Sequence, residues 1–389
     1  MHSENDVGFI GRLRILVALF NLGILVVTTG CGSGTPSATD DDGGSPDAGV
    51  SWSIETVIPS GTVGMHPSIA VDADNHPHIS YCDYAEKTVK YAYWDGTDWS
   101  IQTVGSATDP STEALANGGL SSIALDGAGN PHICYYQSGT GGGYIYARQS
   151  ESGWTHDAVP LGSYVAGGEC SIAVDETTGA ASISLLLMGQ FGMALGYWNS
   201  SSPGSSAVVV DDSDGNSGYN NSIVLGSDGF ARISYEARGD STVNYAIWNG
   251  SSFEIETVSD VSLVYWETRL TSLAVDDDDN PHVAYYGDGF RYAHRSGSQW
   301  EAEAIPYNSG YPALSLSLDG TSRPHMAFVG IDTGNCCRLK HASWDGSAWS
   351  FESIDDDVDD CGIAVDGVGR VHIVYSQGNT DTVIKYALK

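Results

Sequence analysis

The sequence is poor in basic residues: it has 16 Lys and Arg against 49 Asp and Glu, which gives a formal net charge of −33. Proteins that bind nucleic acid neutralise phosphates with Lys and Arg, so this composition argues against a nucleic-acid partner. Known catalytic signatures are also missing, because the chain has no His-Glu-x-x-His, no Gly-x-Ser-x-Gly and no phosphate-binding glycine loop. Its seven cysteines include no Cys-x-x-Cys, which argues against zinc and thioredoxin-like redox centres.

Long apolar runs are also scarce, and the one that stands out is residues 15–27, preceded by Arg12 and Arg14. It is shorter than the roughly 20 residues that a spanning helix needs, and it leads into Gly30-Cys31, so it predicts an export signal. The Gly30-Cys31 pair resembles the lipobox of bacterial lipoproteins. This resemblance implies a signal peptide over residues 1–31 and lipidation of Cys31; the alternative is an ordinary cleaved signal with an unmodified cysteine.

Residues 32–50 consist of Gly, Ser, Thr, Asp and Pro with almost nothing to bury, which predicts a flexible acidic linker. Gly32 directly after the cysteine resembles the outer-membrane address of such lipoproteins. We therefore expect a protein exported to the outer membrane or cell surface of a Gram-negative-type bacterium and held there by its lipid.

Residues 51–389 contain seven copies of a unit of about fifty residues. In one clear copy an apolar segment ends at Asp72, a tight turn leads into residues 77–81, and a later segment contains Trp94. Each copy has four short segments of alternating apolar and polar residues, rich in Val, Ile, Tyr and Trp. The repeat predicts an all-β fold, a seven-bladed β-propeller of four-stranded antiparallel blades.

The two ends of this repeat region are complementary. Residues 52–57 match the fourth strand of other copies, such as 99–104, whereas the last copy has only its first three strands. We therefore expect the N-terminal strand to complete the seventh blade. Such closure removes the exposed sheet edge that an open array would leave.

Export to an oxidising compartment allows the six cysteines beyond Cys31 to pair, and six cysteines permit fifteen pairings. The expected positions of the cysteines on the blades reduce the number of plausible pairings. Cys336 or Cys337, expected in a loop of the sixth blade, is predicted to pair with Cys361 of the seventh. Cys134 of the second blade is predicted to pair with Cys170 of the third.

Residues that recur in most blades are interpreted as structural, because every blade must fold. This applies to the turn Asp series beginning at Asp72 and to the Trp series beginning at Trp94. No metal site or cofactor is predicted; weakly bound calcium at the acidic loop 212–216 is the alternative, although the loop lacks the Gly and Glu of an EF-hand. The recurrent second-strand histidines, for which we predict a hydrogen bond to a turn, are His78, His132, His282, His325 and His372.

The connections between blades are long and irregular, and they all fall on one face if the first strand of each blade is innermost. Irregular loops on a rigid scaffold are where recognition is usually found. Aromatic and cationic residues that are unique to one blade gather on this face, and we predict that they bind a glycan or protein ligand. These residues are Tyr84, Tyr219, Arg238, Tyr265, Trp266, Arg269, Tyr307, Tyr311 and Arg338.

The motif Trp-Asp-Gly-x-x-Trp, at residues 94–99 and 344–349, resembles the repeats of bacterial secreted propellers related to the Asp-box and propeller-lectin groups. The resemblance implies a lectin-like function in carbohydrate binding. Sialidases, which are similar at the Asp-box, use an arginine triad, and Arg238, Arg269 and Arg338 offer three guanidinium groups. The resemblance to them implies that Glu236 or Glu267 could serve as the carboxylate partner of a tyrosine.

Three functions remain open at this stage. The favoured one is a surface-anchored, non-enzymatic propeller that binds a glycan, polymer or protein through its irregular face. The alternatives are a sialidase-like glycoside hydrolase and a structural envelope protein that binds another lipoprotein.

Overall fold

The computed structural model describes residues 51–59, 66–106, 121–137, 142–260, 270–307, 313–332, 335–378 and 382–389. Within these ranges the chain forms 28 β-strands, arranged as seven four-stranded antiparallel sheets. The described part of the chain has no helix that is long and apolar enough to cross a membrane. The predicted all-β, seven-bladed propeller is confirmed, whereas the predicted signal peptide, Cys31 and the linker lie outside the described residues.

Six of the seven blades use four consecutive strands in chain order, with the first strand innermost. The first three blades consist of β2 Ser68–Val71, β3 Pro77–Asp83, β4 Thr88–Trp94 and β5 Trp99–Ser106; β6 Ser121–Leu125, β7 Pro131–Gln137, β8 Gly143–Ser150 and β9 Gly153–Ala158; β10 Val165–Val174, β11 Ala181–Gly189, β12 Gly192–Asn199 and β13 Val208–Asp211. The next three consist of β14 Ser217–Leu225, β15 Ala231–Ala237, β16 Thr242–Trp248 and β17 Phe253–Asp260; β18 Thr271–Val275, β19 Pro281–Tyr286, β20 Phe290–Ser296 and β21 Gln299–Ala304; β22 Leu314–Leu318, β23 Pro324–Asp332, β24 Asn335–Trp344 and β25 Trp349–Asp355.

The seventh blade is built from both ends of the repeat region. It consists of β26 Val358–Val365, β27 Val371–Gln377, β28 Val383–Leu388 and the N-terminal strand β1 Ser53–Ile58. β1 pairs antiparallel with β28, with Ser53 opposite Leu388. The predicted closure of the ring by the N-terminal strand is therefore correct.

Apolar side chains hold the blades together. The described residues form one hydrophobic cluster at each of the seven seams between neighbouring blades. At the closing seam, Val57 and Ile58 of β1 pack with Ile79 of the first blade and Ile384 of the seventh. Because each blade packs both of its faces against neighbours, its second strand is almost fully buried; in β15 all seven residues are buried.

Indole groups link the outer strands across five of the seams. Trp99 Nε1 donates to Glu55 of the preceding blade at 3.1 Å, and Trp52 Nε1 donates to Glu352 at 3.2 Å. Trp154, Trp300 and Trp349 donate in the same way to Gln102, Glu256 and Glu303. Trp52 thus makes the contact that a fourth-strand residue of the seventh blade should make, which supports the closure independently of β1 pairing.

The repeated Asp and His residues stabilise turns, as predicted. Asp126 Oδ1 accepts hydrogen bonds from the backbone N–H groups of Ala128 and Asn130. Its other oxygen lies 3.5 Å from His132 Nε2, and Nδ1 of that histidine bonds the hydroxyl of Tyr146 at 2.7 Å. The fourth blade replaces this His with Arg232, which pairs with Asp228 and with Asp279 of the next blade.

The cysteines for which pairings were predicted lie at two seams, whereas Cys82 is buried between the first and second blades. Cys134 and Cys170 form a disulfide bond between the second and third blades, with their Cα atoms 6.4 Å apart. Cys337 packs against the cluster that contains Cys361, at the seam of the sixth and seventh blades. Cys336 and Cys337 belong to strand β24 rather than to the expected loop, because β23 and β24 extend further than the repeat suggests. The pairing of either residue with Cys361 stays a prediction.

Candidate functional site

A cavity of ≈ 150 Å³ lies on the propeller axis, at the N-terminal ends of the innermost strands. This end carries the irregular connections between blades. Six of the seven blades contribute to its wall, which is mostly hydroxyl and amide. The lining residues are Ser68, Ser121, Ser122, Glu169, Cys170, Ser171, Asn220, Asn221, Ser222, Thr271, Ser272, Leu314 and Ser315.

Six lining serines occupy the same position of the repeat, directly before the apolar core of the inner strand, and form a ring around the axis. Each accepts a hydrogen bond from a backbone N–H of the next blade, for example Ser272 from Leu316 at 3.0 Å and Ser315 from Ile363 at 3.3 Å. A hydroxyl that accepts in this way keeps one hydrogen to donate. The other four members are Ser68, Ser122, Ser171 and Ser222.

The seventh blade has Gly362 at the position of the serine ring. A Cβ atom at this position would lie 3.2 Å from the carbonyl oxygen of Pro67 and 3.3 Å from Val374. A serine here would require Pro67 or Val374 to shift by a few tenths of an ångström. Glycine avoids this shift at the seam where the ring closes.

Glu169 is the only ionisable side chain among the described residues of the cavity wall, since Cys170 is in a disulfide bond. It precedes that cysteine at a bulge of β10 and is only 4% exposed. Its Oε2 accepts the backbone N–H of Asn220 at 2.5 Å, whereas its Oε1 has no hydrogen-bond partner among the described residues. Burial raises the pKa of Glu169 well above its usual range, and the charge of Glu236 adds to this, while Arg238 and the Asn220 N–H oppose it.

Glu236 and Arg238, both buried, lie behind Glu169 in the fourth blade. Arg238 Nε donates to Glu236 Oε2 at 3.0 Å, and the guanidinium carbon lies 3.8 Å from the ring centroid of Tyr219. The Tyr219 hydroxyl in turn donates to Asn216 Oδ1 at 3.0 Å. Burial raises the pKa of Glu236 even though the positive charge of Arg238 acts in the opposite direction. The fourth blade thus presents a buried ion pair stacked on an aromatic ring.

The structure brings only two of the described predicted ligand residues together, Tyr219 and Arg238. Tyr219 and Arg238 contact each other beside the cavity, but both are buried and the charge of Arg238 is directed at Glu236. Tyr84 is partly buried against the hydrophobic cluster between the first and second blades, and burial raises its pKa. Tyr265, Trp266, Arg269 and Tyr311 lie outside the described residues.

The other two predicted residues have local partners. Tyr307 packs on Phe328 and Phe351 between the fifth and sixth blades, with Lys340 Nζ 5.0 Å from its ring centroid. Arg338 Nε donates to Asp356 at 2.7 Å. Because the two described members of the proposed arginine triad each pair with a carboxylate, the sialidase-like alternative is not favoured.

Sequence reasoning missed Glu169, and the repeat alone does not single it out. Two positions before the serine ring, three blades carry apolar residues, Leu120, Leu270 and Ala313. The other four blades carry polar or ionisable residues there, namely His66, Glu169, Asn220 and Asp360. Only the structure distinguishes Glu169 from Asp360, because Glu169 lines the cavity whereas Asp360 lies 2.8 Å from His66 Nδ1.

The acidic loop considered for calcium uses its carboxylates internally. Asp211 accepts hydrogen bonds from the hydroxyls of Ser213, Ser217 and Tyr235, and Asp214 accepts from the backbone N–H of Gly239. Within the described ranges, no group of three or more His, Cys, Asp or Glu residues is arranged to hold a metal ion.

Comparison with known proteins supports the fold. No protein-family model matches the chain, and no curated protein matches it significantly. Among solved structures, an ulvan lyase of polysaccharide lyase family PL25 is 14% identical, with a TM-score of 0.59 over 85% of this chain and 94% of that chain. A catalytically inactive virginiamycin B lyase from Staphylococcus aureus with quinupristin is 11% identical, with a TM-score of 0.55 over 87% of this chain and 100% of that chain. At such identities the similarity shows a common propeller fold.

Proposed function

We propose that this propeller recognises a glycan without cleaving it, and that the axial cavity is the binding site. The observation that carries the proposal is the cavity wall, in which serine hydroxyls and asparagine amides from successive blades face one space. Sugars present hydroxyl groups that both donate and accept hydrogen bonds, and such a wall offers both roles. The shared fold with a polysaccharide lyase is compatible with a glycan on this scaffold.

The loops around the cavity belong to the same proposal. Tyr265, Trp266 and Arg269 remain predicted ligand residues in the connection between the fourth and fifth blades. An aromatic ring can pack against the C–H groups of a sugar, and Arg can donate fixed hydrogen bonds to hydroxyls. A sugar chain held in the cavity by one end would extend towards such a rim.

The test is a glycan array screened with residues 51–389, followed by titration of the best binder against two serine variants. Ser315 and Ser317 are both in β22 and accept seam bonds of 3.3 and 3.1 Å from Ile363 and Val365, but only Ser315 lines the cavity. Both Ser→Ala changes should therefore lower stability by a similar amount, about 1 kcal/mol. Only Ser315→Ala should weaken glycan binding, by about 2- to 10-fold.

Two outcomes would contradict the proposal. If no glycan on the array binds, or if both serine variants weaken binding equally, the cavity is not the recognition site. Turnover of fluorogenic aryl glycosides, sialosides included, would instead favour a hydrolase. We expect no turnover, because Arg238 and Glu236 are paired with each other inside the fourth blade.

We further propose that the domain is anchored to a membrane through lipidated Cys31. The support is the apolar run that ends before Gly30-Cys31 and the acidic linker that follows. Cys31→Ala should shift the protein from the detergent phase to the aqueous phase. An unmodified mature N-terminus by mass spectrometry, with unchanged partitioning, would refute the anchor.

A further inference from the structure

Among the described residues, the cavity wall contains one carboxyl group and no basic side chain. Glu169 is only 4% exposed, and its Oε1 has no hydrogen-bond partner in the described part of the chain. A buried carboxylate is costly unless a positive charge or a proton compensates it. The described residues of the wall supply no positive charge that could compensate the Glu169 carboxylate.

The charged residues behind the wall do not neutralise Glu169 either. Arg238 donates directly to Glu236 at 3.0 Å, so its positive charge is shared first with that residue. Glu169, Glu236 and Arg238 together carry two potential negative charges and one positive charge. One proton or one cation is needed to neutralise the buried group.

We propose that the ligand supplies this cation as an ammonium group, so that the cavity selects a sugar unit with a free amine. The inference rests on the proposed function, since it names the ligand class of the same site. A space of ≈ 150 Å³ is about five times the volume of one water in the liquid, which is the scale of one sugar ring. The serine and asparagine groups would bind the hydroxyls while Glu169 binds the amine.

Binding of an ammonium group should release a proton. Burial raises the pKa of Glu169, which favours the protonated form of its carboxyl group before the ligand binds. When R–NH₃⁺ enters, this proton leaves to solvent and a carboxylate–ammonium pair remains, which balances the charge. The groups that face Glu169 are Glu236, Arg238 and Tyr219 of the fourth blade and Tyr144 of the second.

The experiment compares three β-1,4-linked glucose-type oligosaccharides of equal length that differ at carbon 2: a free amine, an N-acetyl group or a hydroxyl. Calorimetric titration of EDTA-treated residues 51–389 at moderate salt, in two buffers of different ionisation enthalpy, measures affinity and proton release together. We expect the amine form to bind at least tenfold more tightly than the other two, with close to one proton released per site.

Glu169→Gln should remove both the preference for the amine and the proton release. Glu176→Gln is the matched control, because Glu176 is an exposed carboxylate of the same blade at the opposite end of the inner strand. An amine preference that persists in Glu169→Gln reflects attraction to the acidic surface and overturns the inference. If Glu169→Gln does not fold, the test uses the unmodified protein alone. The affinities of the three oligosaccharides and the number of protons released then decide whether the site selects an amine.

The outcomes separate the two proposals. Equal binding of all three oligosaccharides refutes the amine inference and leaves glycan recognition intact. Binding that appears only when calcium is restored makes Glu169 a metal ligand and overturns the inference. Binding of none of them, together with an empty glycan array, refutes both.

Discussion

Removal of β1 tests the closure of the ring most directly. A protein of residues 59–389 lacks the strand that pairs with β28 from Ser53–Leu388 to Ile58–Ile384. β28 then becomes an exposed edge of a three-stranded seventh blade, and exposed edges pair with other chains. We compare this protein with residues 51–389.

The size of the effect follows from what β1 buries. Val57 and Ile58 are 5% and 8% exposed, and burial of each side chain contributes about 1.5–3 kcal/mol. Two indole bonds are also lost, from Trp52 to Glu352 and from Trp99 to Glu55, each worth about 0.5–1.5 kcal/mol. The expected loss of about 4–9 kcal/mol is comparable with the whole stability of many domains. The thermal midpoint should fall by on the order of 10 °C or more.

The assay combines thermal unfolding with light scattering after size exclusion. A synthetic peptide of residues 51–59, added in excess, should restore the midpoint and the monomeric state. A peptide with serine in place of Val57 and Ile58 is the control and should not do so. If residues 59–389 remain monomeric with an unchanged midpoint, the N-terminal strand does not close the propeller.

Three further predictions concern individual residues. Burial raises the pKa of Glu169 in the folded state, so its unfavourable contribution to the free energy of unfolding grows as the pH rises above the pKa of a glutamate in the unfolded chain. Glu169→Gln should therefore raise the thermal midpoint at pH 7 and have little effect at pH 4. Replacing both Cys134 and Cys170, which are 36 residues apart, with Ala should cost about 4 kcal/mol, and reductant should lower the midpoint of the unmodified protein to a similar extent but leave the variant unchanged. Trp349→Phe keeps ring packing against Tyr292 but loses the 2.8 Å bond to Glu303, so denaturant unfolding should show a loss of at most about 1 kcal/mol; a loss of several would mean that the indole is needed for packing.

The sequence by itself determined the blade and the ring. Period-two alternation and turn residues act over a few residues, so the strand pattern, the turn-forming Asp72 series and the second-strand histidines can all be predicted from the repeat. The match between residues 52–57 and the other fourth strands also predicted closure, because every blade presents the same kind of outer edge to its neighbour. The repeat likewise separated residues needed for folding from those unique to one blade.

Only the tertiary structure decided which unique residues meet and which are buried. Arg238 and Tyr219, predicted to face a ligand, are buried, and both bond Asn216 in the connection that precedes the fourth blade. The serine ring and Glu169 converge on one cavity although successive members are about fifty residues apart in the chain. Their distance from the axis depends on how seven blades pack around it, and no local pattern encodes that packing. The physical reason is that strand formation depends on neighbours in sequence, whereas the site depends on contacts between blades.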